Sequence, residues 1–164
     1  MENIPSLSEC FEVLKEKKLH ITFAESCTGG LIGKLLTDVP GSSKALTDLA
    51  GASEVIEASV VSYSNRIKIE KLGVKAETIE KHTEVSAECA LEMARGAKKF
   101  AASEVGAALT GYAGPSGKDV GLVFVAVSSP FGEKVEELRL HGSREEIRLA
   151  AANRCFDLVL RILK

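Results

Sequence analysis

The chain has 164 residues, 45% of them apolar and 27% charged, with 21 basic and 23 acidic side chains and a formal net charge of -2. That is the composition of one soluble globular domain with enough chain for a real core, and it excludes a disordered chain as well as a basic stripe for nucleic acid. No run approaches the ~20 apolar residues of a membrane helix, and Met1 to Pro5 lacks the basic flank and apolar stretch of a signal peptide, so a cytoplasmic chain is expected, with neither nucleic acid nor membrane as partner.

Elements follow in chain order. Ser6 and Glu9 form a capping-box pattern after Pro5, and Leu7, Cys10, Phe11 and Leu14 then repeat at helical spacing up to Lys17 or Lys18. His20 to Ala24 reads as a strand, Glu25 to Gly30 as a turn and Leu31 to Thr37 as a helix. Pro40 and Gly41 break the chain, and residues 41–58 suggest one or two short helices. A second strand runs from Ala58 to Tyr63, followed by helices over Asn65 to Leu72, stopped by Gly73, and Ala76 to Lys81. The helix Ser86 to Phe100 carries many alanines on one face, which suits close packing on a sheet. Strands are predicted at Val105 to Thr110, Gly121 to Val127 and Lys134 to His141, the last two joined by a Pro130-Phe131-Gly132 hairpin turn. Ser143 and Glu146 make a capping box for a final helix with Ile147, Ala151, Cys155, Leu158 and Ile162 on one stripe. The pattern predicts a layered α/β/α sandwich around a mixed, mostly parallel sheet of about five strands, in a single domain over 1–164.

The four cysteines, Cys10, Cys27, Cys89 and Cys155, are spaced too widely and irregularly for a zinc site or a disulfide framework. Three of them, Cys10, Cys89 and Cys155, fall on apolar helix faces and read as small buried hydrophobes. With no Trp and two Tyr, a stacking platform for nucleic acid is not expected.

Chemistry concentrates at Phe23-Ala24-Glu25-Ser26-Cys27-Thr28-Gly29-Gly30, where a strand gives way to a helix. Ligands of open α/β sheets bind beyond the carboxyl ends of strands. A helix N-terminus offers free N–H groups to a phosphate, a carboxylate or an oxyanion. Gly29 and Gly30 would let a ligand approach the backbone, and Ser26 and Thr28 supply hydroxyls. Equally, Ser26 or Thr28 caps the helix and nothing more. Cys27 is either a thiolate activated by the helix end or a buried hydrophobe. Thr110-Gly111-Tyr112-Ala113-Gly114-Pro115 ends another strand, either as a loop hugging a ligand or as a tight turn. Arg144 begins the last helix, an unfavourable place for a cation, which a bound phosphate would offset; the alternative is a solvated arginine.

Ala24-Glu25-Ser26-Cys27-Thr28-Gly29-Gly30 resembles the signature of the CinA C-terminal family, whose members include nicotinamide-nucleotide amidases. The likeness continues through Thr37-Asp38-Val39-Pro40-Gly41-Ser42-Ser43, Val60-Val61-Ser62-Tyr63-Ser64-Asn65-Arg66-Ile67-Lys68, Leu72-Gly73-Val74, His82, Val85-Ser86, the Thr110 to Pro115 loop and Gly142-Ser143-Arg144 with Arg148. It implies a serine amidohydrolase that needs neither metal nor cofactor and converts nicotinamide mononucleotide to nicotinic acid mononucleotide and ammonia. Ser26 then matches the nucleophile, Lys68 its base and Tyr63 the tyrosine beside them. Thr28, Gly29, Gly30, Ser42, Thr110, Gly111, Gly114 and Arg144 are assigned to the nucleotide substrate. A homo-oligomer is a further implication. Family members often carry an additional N-terminal domain, whose activity is not expected of a chain of this length.

The physical requirement is an uncharged amine. A serine hydroxyl is a weak nucleophile until a neighbour takes its proton, and an ordinary lysine with pKa ~10.4 is protonated at neutral pH. Burial or a second cation lowers that value; without either, Lys68 is a solvated helix lysine. The chain also departs from the family pattern. The stretch between Ser43 and Val60 is longer, the loop after Pro115 is shortened to Ser116-Gly117-Lys118-Asp119-Val120-Gly121-Leu122-Val123, and Glu84 stands where a small residue is usual. Two alternatives follow: a non-catalytic nucleotide or phosphate-binding regulatory module, or an amidase for another phosphorylated substrate.

Overall fold

The structure is a computed structural model and describes residues 5–37 and 55–164. The expected helices over 41–58 fall almost wholly outside those residues, as does Ser42. The described elements are α1 (Pro5–Lys17), β1 (Ile21–Glu25), α2 (Leu31–Thr37), β2 (Ile56–Val61), α3 (Asn65–Leu72), α4 (Ala76–His82), α5 (Ala87–Ala101), β3 (Val105–Gly111), β4 (Leu122–Ser129), β5 (Gly132–Arg139) and α6 (Arg144–Leu163). The five strands form one sheet in the order β2-β1-β3-β4-β5. β1 pairs in parallel with both β2 and β3, while β4 is antiparallel to β3 and β5 to β4. Four strands therefore run one way and β4 alone is reversed, the mixed and mostly parallel sheet read from the sequence.

Side-chain size separates the two faces of this sheet, because successive strand residues point to opposite sides. One face presents Ile21, Phe23, Val105, Leu109, Val123, Val125 and Val127 to α1, α2 and α6. There the Phe23 and Phe156 rings meet edge to face, with centroids 5.8 Å apart. The other face presents Ala24, Ala108 and Ala126 to Cys89, Ala90, Met93, Ala94 and Ala97 of α5. With alanines on both sides, α5 lies close against the strands. Cys10, Cys89 and Cys155 are all buried, as their helix positions predicted.

Close approach continues between helices. A Cβ added at Gly96 of α5 would lie 1.9 Å from the carbonyl oxygen of Leu72, the last residue of α3. Alanine is favoured over glycine inside a helix by about 1 kcal/mol, but overpacking of this kind costs about 1–3 kcal/mol or more. Gly96→Ala is therefore expected to lower the urea midpoint of unfolding. An unchanged or raised midpoint would mean that α3 and α5 can separate freely.

Helix ends follow their sequence signals closely. Gly73 stops α3 in the left-handed conformation, Ser86 caps α5 by accepting from the Cys89 N–H, and Ser143 with Glu146 forms the full capping box of α6. The Ser6 and Glu9 reading is corrected. Ser6 lies inside α1 and donates its hydroxyl to the Asp157 carboxylate of α6, while Glu9 pairs with Lys164. Tertiary partners on the last helix outcompete the local cap. Among the described residues no helix is long and apolar enough to cross a membrane.

Candidate active site

The carboxyl ends of β1, β2 and β3 converge on a single point. Ser26 leaves β1 with its N–H donating to the Leu109 carbonyl of β3 at 3.1 Å. Just beyond β2, the Ser62 N–H and hydroxyl both donate to the Glu25 carbonyl, at 2.7 and 3.2 Å. Ser64 then caps α3, accepting from the Ile67 N–H. One turn into α3, Lys68 shares the inward face with Leu72, four residues on. Lys68 is 0% exposed, and its Nζ lies 3.0 Å from Ser26 Oγ, 2.8 Å from the Ser62 carbonyl oxygen and 3.0 Å from that of Tyr63.

Those three contacts satisfy an ammonium, which would donate to all three oxygens, and equally an uncharged amine. A neutral –NH2 has two N–H donors, matched by the two carbonyls, and one lone pair, which then faces the Ser26 hydroxyl. Burial drives the Lys68 pKa down, since desolvation penalises the ammonium; the Cys89 thiol, the Glu84 carboxylate and the Cys27 thiol act in the opposite direction. Burial pushes the Cys27 thiol up to about 12, so at neutral pH it is no thiolate. Of the two adjacent candidates, Ser26 is the one with a base in contact among the described residues.

The turn after Ser26 is held by a group that the sequence reading left without a role. Glu25 is fully buried. Its carboxylate accepts from the backbone N–H groups of Gly30 (2.9 Å), Ile32 (3.1 Å) and Gly33 (3.0 Å) and from the Ser59 hydroxyl (2.6 Å). An acid directly before a turn that opens a helix is the usable signal, because the first N–H groups of a helix lack partners in the helix itself.

A cavity of about 510 Å³ opens over Ser26 and Lys68. Ser26, Tyr63, Lys68, Thr110, Gly111, Gly114 and Arg144, taken from different parts of the chain, all line it, together with Glu84 and Tyr112. Among the described residues no cluster of His, Cys, Asp or Glu is arranged to hold a metal ion. The sequence model of one family, described as the CinA C-terminal domain, matches residues 5–47 and 43–163. The chain belongs to the CinA C-terminal domain family. A CinA-like protein of Fervidobacterium nodosum is 42% identical over 175 residues, and one of Syntrophomonas wolfei is 43% identical over 167, alignments that take in 96% and 99% of this chain. The chain spans only 40% and 38% of those two relatives. The crystal structure of the competence/damage inducible protein CihA from Agrobacterium tumefaciens superposes with a TM-score of 0.81 at 34% identity, covering all of both chains.

Within this CinA domain, several expected ligand contacts are placed elsewhere. Thr28, Gly29 and Gly30 are not among the described cavity-lining residues; they build the turn between β1 and α2. Thr28 is fully buried and its carbonyl accepts from the Arg148 guanidinium. Gly29 and Gly30 have positive φ, and their N–H groups go to the Ser26 carbonyl and the Glu25 carboxylate. The anion-binding N-terminus expected for α2 is thus already filled by Glu25. Tyr63 meets Lys68 through its main-chain carbonyl, while its side chain is 70% exposed at the cavity. Thr110 donates its hydroxyl to the Glu84 carbonyl at 2.7 Å, which ties the end of β3 to the segment before α5. Arg144 donates to the Gly114 carbonyl and leaves its other guanidinium N–H groups at the outer wall. Sequence reasoning noted Glu84 only as a departure and gave Tyr112 no role.

Proposed function

We propose that this CinA domain is a serine amidohydrolase that converts nicotinamide mononucleotide to nicotinic acid mononucleotide and ammonia in the cytoplasm. One observation carries the reading: a fully buried lysine amine 3.0 Å from a serine oxygen, at the floor of a cavity large enough for a nucleotide. Lys68 takes the Ser26 proton as Oγ attacks the carboxamide carbon. The tetrahedral adduct collapses as that proton passes to the leaving nitrogen, releasing ammonia and leaving an acyl ester on Ser26. Water, deprotonated by the same amine, attacks the ester; the acid departs and Ser26 recovers its proton. Arg144 supplies the cation nearest the outer loop for the phosphate.

Incubating the chain with nicotinamide mononucleotide, without added metal, is expected to release ammonia and nicotinic acid mononucleotide in equal amounts. No product at high enzyme concentration and long incubation would remove this substrate. A panel of other phosphorylated amides would then identify the true one. Ligand-dependent thermal stabilisation without product from any of them would favour a binding module.

A further inference from the structure

The cavity carries a carboxylate that the proposed chemistry does not use. Among the described lining residues the charged side chains are Lys68, Glu84 and Arg144, and of these Glu84 is the acid. Glu84 is half-buried and lines the cavity together with Lys68, whose ammonium form its negative charge favours. Its backbone is fixed there by the Thr110 hydroxyl. Arg144 also lines the cavity and is bonded to the loop carbonyl of Gly114. The chain has two tyrosines, Tyr63 and Tyr112, and both line this same cavity. A carboxylate and two phenol rings around one cavity attract a cation, by direct charge and by the negative face of each ring.

We infer that Glu84, with Tyr63 and Tyr112, selects a ligand whose reacting amide is borne by a positively charged ring, with an anionic group met by Arg144. The inference rests on the amidase reading for its substrate class and adds the charge state of the ring. In a nicotinamide nucleotide the ring nitrogen carries the sugar, and the oxidised ring is a permanent cation. Reduction to the dihydropyridine keeps the carboxamide, sugar and phosphate but removes the charge. A ring cation at Glu84 also lies near the Lys68 amine, where a second positive charge disfavours the ammonium and so favours the form that accepts the Ser26 proton. The substrate's own charge then helps to prepare its base.

The test measures binding in a Ser26→Ala background, so that no ligand is consumed. Calorimetric Kd values are compared for oxidised and reduced nicotinamide mononucleotide. The Ser26→Ala protein is expected to prefer the oxidised form by about tenfold or more, the order of effect of one charge pair at a partly buried site. Adding Glu84→Gln should cut that preference about fivefold or more while changing the Kd of the reduced form far less, and Glu84→Asp should largely restore it. Glu84→Ala gives a second charge removal, and thermal melts show whether each variant is folded. An unchanged preference in folded Glu84→Gln and Glu84→Ala overturns the inference, as does an equal loss of both ligands. The two readings fail separately. A charge preference that depends on Glu84, without ammonia release by the unaltered chain, removes the amidase and leaves the recognition; ammonia release with an unaltered preference does the reverse.

Discussion

Ser26→Ala is expected to reduce ammonia release from nicotinamide mononucleotide by more than about a thousandfold, as when a nucleophile is removed from a unit that acts together. The fold should survive, because the contact that anchors residue 26 is its backbone N–H on the Leu109 carbonyl, which alanine retains. Cys27→Ala is expected to keep most of the activity. Its thiol is raised to about 12 by burial, and the nearby lysine amine is bonded to the serine instead. The paired measurement is steady-state ammonia release with a circular-dichroism melt for each variant. Loss of activity in Cys27→Ala with retention in Ser26→Ala would reverse the assignment.

Lys68→Arg is expected to cost about 10²- to 10⁴-fold in kcat, the usual range for loss of a general base. The substitution keeps a long cationic side chain but cannot supply a free lone pair, because a guanidinium stays protonated at any working pH. The pH profile carries the sign. In the proposed mechanism the productive form is the neutral amine, and burial lowers the Lys68 pKa from its ordinary value. The rate should therefore rise with pH while Lys68 loses its proton and level off once pH has passed its lowered pKa. That rising limb should vanish in Lys68→Arg. A wild-type rate that falls across the same range, or a fully active arginine variant, would show that residue 68 acts as a cation instead of a base.

Much of this architecture was legible because local signals and tertiary packing agree. Gly73 ends α3 and Ser143 with Glu146 starts α6 at positions read directly from residue type. The alanines of α5 announced a helix pressed against the sheet, and Ala24, Ala108 and Ala126 are the matching surface. The meeting of residues 26 and 68 was legible in another way. Periodicity places Lys68 on the face of Leu72, but the carbonyls of Ser62 and Tyr63 that receive its amine come from a strand end folded back over the helix. Only the resemblance to a family pointed there. The glycines of the first turn misled for a physical reason. Positive φ at Gly29 and Gly30 suits a ligand approaching the backbone, and it suits equally an internal carboxylate reached by a chain reversal. Sequence gives the conformational freedom without saying who uses it. Ser6 shows the same limit, since its local capping pattern yields to Asp157, a partner distant in sequence.

Glu25 has one more consequence. Its carboxylate occupies the seat that the head of α2 would otherwise offer to an anion from solution. The first peptide groups of α2 are thereby withdrawn from the cleft. If the proposed phosphorylated substrate binds, Arg144 is the guanidinium among the described lining residues that can meet its charge, and ionic strength should weaken its hold only gently.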